Sequence, residues 1–384
     1  MATRDVRAEA LVTSFERAGY ARVAPAVLQP AEPFLDLSGE DIRKRMFLTT
    51  DPDGRELCLR PDLTIPVSRD YLASPMAGRA QGFCYLGQVF RHRQDEAGEF
   101  LQAGIESFGR PDIAAADAEM LALGLDTTAH YGLATPDIRI GDVALFAALI
   151  AALDLAPAWK RRLIKDFNHK SSLAQDLERL TPTLPSPTSE GGPGRGRPEY
   201  QGVLAALAGS DPKGAHALVT DLLSIAGISA VGGRSVGEIA DRFLEQAALG
   251  AQTSLPRETR ALIERFLAVA GDPDEAAAEL RAVAKDGSLK LDAALDLFES
   301  RTGFLAARSV DVRRIKFSTA FGRGLDYYTG FVFELHDPAG RAAGQLVAGG
   351  RYDGLLTRLS SKKPIPAVGF AAWIERLIAC GGAA

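Results

Sequence analysis

The chain has 384 residues, 46% of them hydrophobic, and carries 44 Lys and Arg against 49 Asp and Glu for a formal net charge of -5. This content excludes a disordered or collagen-like chain and suffices for two domains or one domain with an insertion, while the charge balance supplies no overall field for a polyanion. Cys58, Cys84 and Cys380 are far apart and lack CxxC spacing, so no disulfide framework or metal site is expected; with no leading apolar segment and no run of about 18 apolar residues, the expectation is a cytoplasmic protein with neither membrane nor nucleic-acid partners.

From Asp5 to Ala18, the residues Val6, Ala10, Leu11 and Phe15 keep helical spacing and Gly19 stops the run, predicting an amphipathic opening helix. The prolines of the segment from Tyr20 to Pro30 suit an extended edge rather than a central strand. Met46 to Thr49 and Glu56 to Arg60 flank Asp51-Pro52-Asp53-Gly54 and read as a hairpin; Pro61 to Arg69 reads as a loop running into a short helix. A second hairpin joins Phe83–Arg91 to Phe100–Phe108. By the two-residue strand period, Tyr85, Gly87, Val89 and Arg91 share one face, and Gln102, Gly104 and Glu106 share another. A glycine between an amide and a carboxylate is either a ligand floor or a solvated sheet face.

Asp112 to Tyr131 is predicted helical, and Asp142 can cap a helix over Val143 to Ile150. Beyond about Leu155 the pattern stays helical for roughly a hundred residues, interrupted by a stretch near 181–198 too rich in Pro, Gly, Ser and Thr to bury a core. Strand character returns at Arg314 to Ser318 and Phe331 to Leu335. The stretch Gly322-Arg323-Gly324-Leu325-Asp326-Tyr327-Tyr328-Thr329-Gly330 precedes the second of these, and Gln345 to Gly354 ends in glycines beside Arg351 and Asp353. A short strand, Ala367 to Phe370, leads to a last helix expected to bury Trp373, Ile374, Leu377 and Ile378 on one side. Strand runs and helix runs are segregated, which predicts an α+β fold: an antiparallel sheet flanked by helices over 1–155 and 256–384, with a helical insertion over 156–255 holding a disordered loop near 181–198.

Singly these motifs are unspecific, but their order resembles the class II aminoacyl-tRNA synthetase fold, and within it the histidyl-tRNA synthetase branch. Phe90-Arg91-His92 with Phe100 and Glu106-Ser107-Phe108-Gly109 resembles motif 2, Gly369-Phe370 through Glu375-Arg376-Leu377 resembles motif 3, and the Pro25 segment resembles motif 1, the dimer-forming element. Arg323 to Gly330 and Gly349 to Gly354 are similar to the two histidine-specific motifs. The resemblance implies a histidine site in which Asp62, Thr64 and Gln102 hold the α-amino group, Glu106 and Tyr328 meet the imidazole with Tyr327 beside them, and Arg323 meets the carboxylate or an activated phosphate. Arg91 and Arg376 match positions that hold ATP phosphates.

Three departures separate the chain from the synthetase. It ends soon after motif 3, implying no anticodon-binding domain; the motif 2 loop lacks an expected second arginine and carries Asp95, Glu96 and Glu99; and Asp62 stands where the synthetase has glutamate. The strings Leu59-Arg60-Pro61-Asp62 and Glu99 to Gly104 resemble instead the regulatory subunits of ATP phosphoribosyltransferase, a paralogous family. That resemblance implies a dimeric scaffold without catalytic residues, cofactor or metal, which partners the short catalytic subunit and responds to histidine, with Arg91 and Arg376 vestigial. The alternative is a truncated histidyl-tRNA synthetase or a stand-alone histidine-adenylating enzyme.

Overall fold

The computed structural model describes residues 6–38, 40–94, 96–167, 170–179, 212–225, 236–237, 240 and 256–381. The chain divides into two compact units, one formed by Met1–Ala152 with Arg265–Ala384 and the other by Leu153–Glu264. The stretch near 181–198 and Asp95 lie outside the described residues.

A nine-stranded sheet organises the first unit. In chain order its strands are β1 (Ala21–Arg22), β5 (Gln81–Phe90), β6 (Glu99–Phe108), β7 (Asp137–Asp142), β8 (Ala270–Gly271), β9 (Ile315–Ser318), β10 (Phe331–His336), β11 (Gln345–Arg351) and β12 (Ala367–Trp373), and their spatial order is β1-β5-β6-β12-β11-β10-β7-β9-β8. The expected antiparallel sheet is therefore mixed. β5, β6, β12, β11, β10 and β7 are antiparallel neighbours, but β1 runs parallel to β5 and β9 parallel to β7. Both parallel partners lie toward the sheet's edges, where Ala21–Arg22 was too short and Asp137–Asp142 too polar to read as strands.

The same unit carries a three-stranded sheet in the order β2-β4-β3, from Leu28–Pro30 (β2), Phe47–Thr50 (β3) and Glu56–Leu59 (β4). Its hairpin turns where Asp51 Oδ1 accepts from the backbone N–H of Asp53 and Arg55 at 3.0 and 2.8 Å, and Gly54 takes φ of 81°. Val27, Leu28, Phe47 and Leu48 leave apolar surface exposed on it.

One face of the large sheet is covered by the helix Ile113–His130. Its Gly124 sits against Phe333, Val347 and Leu335, and a β-carbon there would already press those side chains at 3.2 to 3.5 Å. The opening helix Val6–Arg17 adds Phe15, whose ring meets Phe370 edge-on at 5.9 Å. Buried on this face is a charged network. Asp117 accepts from Arg351 through Oδ1 (Nε at 2.8 Å) and from Arg301 Nε through Oδ2 at 3.0 Å. Arg301 reaches Asp142 at 2.8 Å, an ion pair whose angle falls short of a hydrogen bond, and Arg351 reaches Asp353 at 2.9 Å.

In the second unit the helices Pro157–Asp166 and Lys170–Arg179 bury Trp159, Leu163, Leu173 and Leu177, and Arg162 pairs with Asp176 at 2.5 Å.

Candidate functional site

The other face of the sheet becomes concave because small residues occupy its middle. Strand register places Gln102, Gly104 and Glu106 of β6 opposite Trp373, Ala371 and Gly369 of β12, and these beside Ala348 and Gly350 of β11. Five adjoining glycines and alanines leave a trough where polar side chains from the trough's ends can meet. Two of the glycines are required by shape: a β-carbon on Gly369 would collide with Glu106 Oε2, and one on Gly104 with the Tyr85 hydroxyl.

Asp62, Thr64, Arg91, Gln102, Arg323, Tyr327 and Tyr328 all line one cavity in this trough, together with Tyr352, Trp373 and backbone of β11 and β12. Residues spread from position 62 to 328 thus converge on one cavity; Glu106 is not among its lining residues. Arg376 is not among the lining residues; its guanidinium lies over the Trp373 ring at 5.6 Å and donates to the Gln345 carbonyl at 3.0 Å. The cavity measures about 30 Å³, room for water rather than for an amino acid.

Glu106 lies beneath the lining residues and is tied to two of them, Thr64 and Tyr352. It is 1% exposed, and its Oε1 accepts from Thr64 Oγ1 at 2.7 Å and the Tyr85 hydroxyl at 3.2 Å, while Oε2 accepts from the Tyr352 hydroxyl. Burial pushes its pKa up to about 8, and the three hydroxyls oppose that shift without cancelling it. A carboxylate has about four lone-pair sites, so three donors leave one place on Oε2. The solvated-face alternative for this strand is thereby excluded.

Asp62 is 4% exposed and precedes the helix Thr64–Ala73. Its Oδ1 accepts from the Ile65 N–H at 3.1 Å, but Oδ2 is buried with no hydrogen-bond partner, and burial raises its pKa above the usual carboxylate value. Gln102 Nε2 is equally buried and unpartnered. Buried polar atoms are nearly always satisfied, so two open valences in one cavity mark places for ligand atoms.

Three arginines border the cavity differently. Arg91 donates from Nε to the Pro61 carbonyl at 2.6 Å and touches no carboxylate; burial lowers its basicity. Arg323 donates from Nη1 to the Tyr328 hydroxyl at 2.8 Å and from Nε to Glu334 at 3.2 Å, and Glu334 also pairs with His336 at 3.0 Å. Arg376 meets Glu96 at 3.7 Å. Glu96 is also held by Arg93, so its carboxylate is shared between two arginines. Tyr327 stacks at 4.9 Å from Tyr328 and 5.8 Å from Tyr352, and burial pushes all three phenols toward their neutral forms.

Sequence reasoning missed Tyr85, Tyr352 and Trp373 as parts of the site. Tyr85 was on the same strand face as Arg91, and Tyr352 lies inside the Gly349 to Gly354 motif, so both signals were present. Trp373 was assigned to the last helix; instead β12 continues to Trp373 and the helix begins at Ile374, because pairing with Gln102 of β6 holds Trp373 in the sheet. Arg60, 5% exposed with no carboxylate partner, is structural. It donates to the Gln88 carbonyl at 2.8 Å and to that of Pro25, pinning the Pro25 segment through space that Gly87 leaves open.

The mixed sheet with its trough is the architecture of class II synthetase-like proteins, and the histidyl-tRNA synthetase family model matches residues 2–190 and 214–377. The chain is 41% identical over 357 residues to the ATP phosphoribosyltransferase regulatory subunits of Brucella canis and Brucella suis, covering 93% of this chain and 92% of each relative. It belongs to the histidyl-tRNA synthetase family, on the branch of the ATP phosphoribosyltransferase regulatory subunits. Among solved structures, an ATP phosphoribosyltransferase regulatory subunit/histidyl-tRNA synthetase from Bacillus halodurans C shares the fold with a TM-score of 0.64 at 21% identity, over 98% of this chain and 78% of that one. A histidyl-tRNA synthetase from Nostoc sp. PCC 7120 does so at 0.59 and 18%, over 97% and 70%.

Proposed function

We propose that the protein acts as the non-catalytic regulatory subunit of ATP phosphoribosyltransferase in the cytoplasm, required by a short catalytic subunit, and that the trough holds histidine as the feedback effector. The relatives' shared name over nearly their full length supports the role. The observation that carries the ligand is the pair of open valences, Asp62 Oδ2 and Gln102 Nε2, above the Glu106 carboxyl. An ammonium satisfies Asp62, and Glu106, protonated below about pH 8, has an O–H to offer an unprotonated imidazole nitrogen. The Gln102 amide, which flips at little cost, serves either an ammonium or a carboxylate. Because the cavity is smaller than histidine, binding displaces side chains such as Arg323 and Tyr328. That movement gives histidine a structural handle for favouring one state of the complex over another.

The exposed apolar strip at Val27, Leu28, Phe47 and Leu48 supports self-association as a dimer through the three-stranded sheet. Described residues contain no helix long and apolar enough to cross a membrane. The deciding experiment is co-purification with a short catalytic chain, followed by phosphoribosyl transfer measured with and without this protein and across a histidine titration. Activity that ignores this protein, or pyrophosphate exchange driven by this protein with histidine and ATP, overturns the reading.

A further inference from the structure

Beside the cavity runs a row of charges of alternating sign. Arg323 pairs with Glu334 at 3.2 Å; Glu334 is within electrostatic reach of Arg376; Arg376 pairs with Glu96 at 3.7 Å; and Glu96 pairs with Arg93. Arg93 is itself fixed. Its Nε and Nη2 donate to the Ala97 carbonyl at 3.0 and 2.6 Å, and its guanidinium lies 4.1 Å from the Phe100 ring centroid. The Glu96 carboxylate is therefore presented to Arg376 from a braced loop, and space for the Arg376 guanidinium depends on Gly344, where a β-carbon would lie 2.8 Å from Nη1. Three guanidinium groups against two carboxylates is the composition of a site for a multivalent anion in which the chain has supplied part of the anion itself.

We infer that Glu96 is a specificity-determining residue: it occupies Arg376 as an internal anion, so that the trough accepts a small zwitterion and refuses a polyphosphate. The inference rests on the reading of the trough as a small-molecule site. Without Glu96 the row Arg323, Glu334, Arg376, Arg93 carries two uncompensated positive charges beside Arg91, whose guanidinium donates to the Pro61 carbonyl and, among the described residues, pairs with no carboxylate. Guanidinium groups so placed take phosphate oxygens in bidentate fashion. Glu96 touches none of the cavity-lining residues and is 45% exposed at its side chain, so its removal does not disturb the trough.

The test is calorimetric titration of the full-length protein, wild type and variants, with inorganic pyrophosphate and separately with L-histidine. Glu96→Ala should bind pyrophosphate about tenfold more tightly than wild type, the scale of one freed surface ion pair plus relief of repulsion, and histidine within about twofold. Glu96→Gln, which removes the charge and keeps the size, should do the same if truncation disturbs the loop. Adding Arg376→Ala to either variant should abolish the gain. No gain in both variants, or a gain that survives Arg376→Ala, overturns the inference. Wild type that binds pyrophosphate as well as the variants also overturns it. Failure of wild type to bind histidine overturns the proposed ligand but leaves the pyrophosphate comparison to decide the role of Glu96.

Discussion

Asp117 and Asp62 are both buried carboxylates of the same unit, 0% and 4% exposed, on opposite sides of one sheet. Asp117, under the helix Ile113–His130, has two arginines, and each of those has a further acid, so both carboxylate oxygens of Asp117 are satisfied and every charge has an opposite neighbour, although Arg301 Nη1 makes no hydrogen bond. Asp62, at the trough, keeps one oxygen with no partner. Both faces bury charge, and burial of charge alone does not mark a site. What distinguishes them is whether the chain supplies every partner. A closed network fixes the packing of a helix on a sheet, whereas an open one stores unsatisfied polarity that a ligand can relieve.

The largest effect expected concerns the carboxyl beneath the trough. Glu106 holds its proton in the folded protein up to about pH 8, whereas an ordinary glutamate releases it near 4.5. The folded state thus binds a proton that the unfolded chain has lost. This contribution to stability is complete below pH 4.5 and declines as pH rises through 8, a swing approaching roughly 5 kcal/mol. Denaturant titrations across that range should show the decline in wild type and a flatter profile in Glu106→Gln. An equal slope in both would place the titrating group elsewhere.

The comparison is sharpest in a matched pair of substitutions. Asp117→Asn removes the charged acceptor that Arg301 and Arg351 share, leaving each with one acid, and should cost roughly 1.5–3 kcal/mol, read as a lower denaturant midpoint. Asp62→Asn removes a charge whose second oxygen nothing satisfies, so its effect on stability should be small or favourable, within about 1 kcal/mol. In the same variant histidine binding should weaken by roughly 1.5–3 kcal/mol, seen by calorimetry. Equal losses of stability would erase the distinction between the two faces.

Much of this contrast was legible before folding. Alternation along β6 separated Gln102, Gly104 and Glu106 from Leu101, Ala103 and Ile105, and the motifs around Arg323 and Gly349 indicated what joins them. What stayed hidden depends on which residues meet across the sheet. Nothing local says that Gly369 makes room for Glu106, that Tyr85 and Tyr352 reach the same carboxyl from residues far apart in sequence, or that Glu96 lands on Arg376. The two-residue strands β1 and β8 were invisible because pairing, not propensity, makes them strands.

Tyr352→Phe offers the smallest and most discriminating change. Among the described residues Tyr352 gives Glu106 Oε2 its one hydrogen bond, while its ring packs near Phe108, Tyr327 and Tyr328. Removing only the hydroxyl keeps that packing and should cost about 1 kcal/mol. The hydroxyl favours the ionised form of Glu106, so its loss should move the upper end of the pH-dependent decline upward from about 8. A stability loss without that upward shift would mean that Tyr352 matters only as a packed ring. With the shift, the hydroxyl is part of what tunes Glu106, and its removal opens an acceptor place on Oε2 that the wild type fills from its own chain.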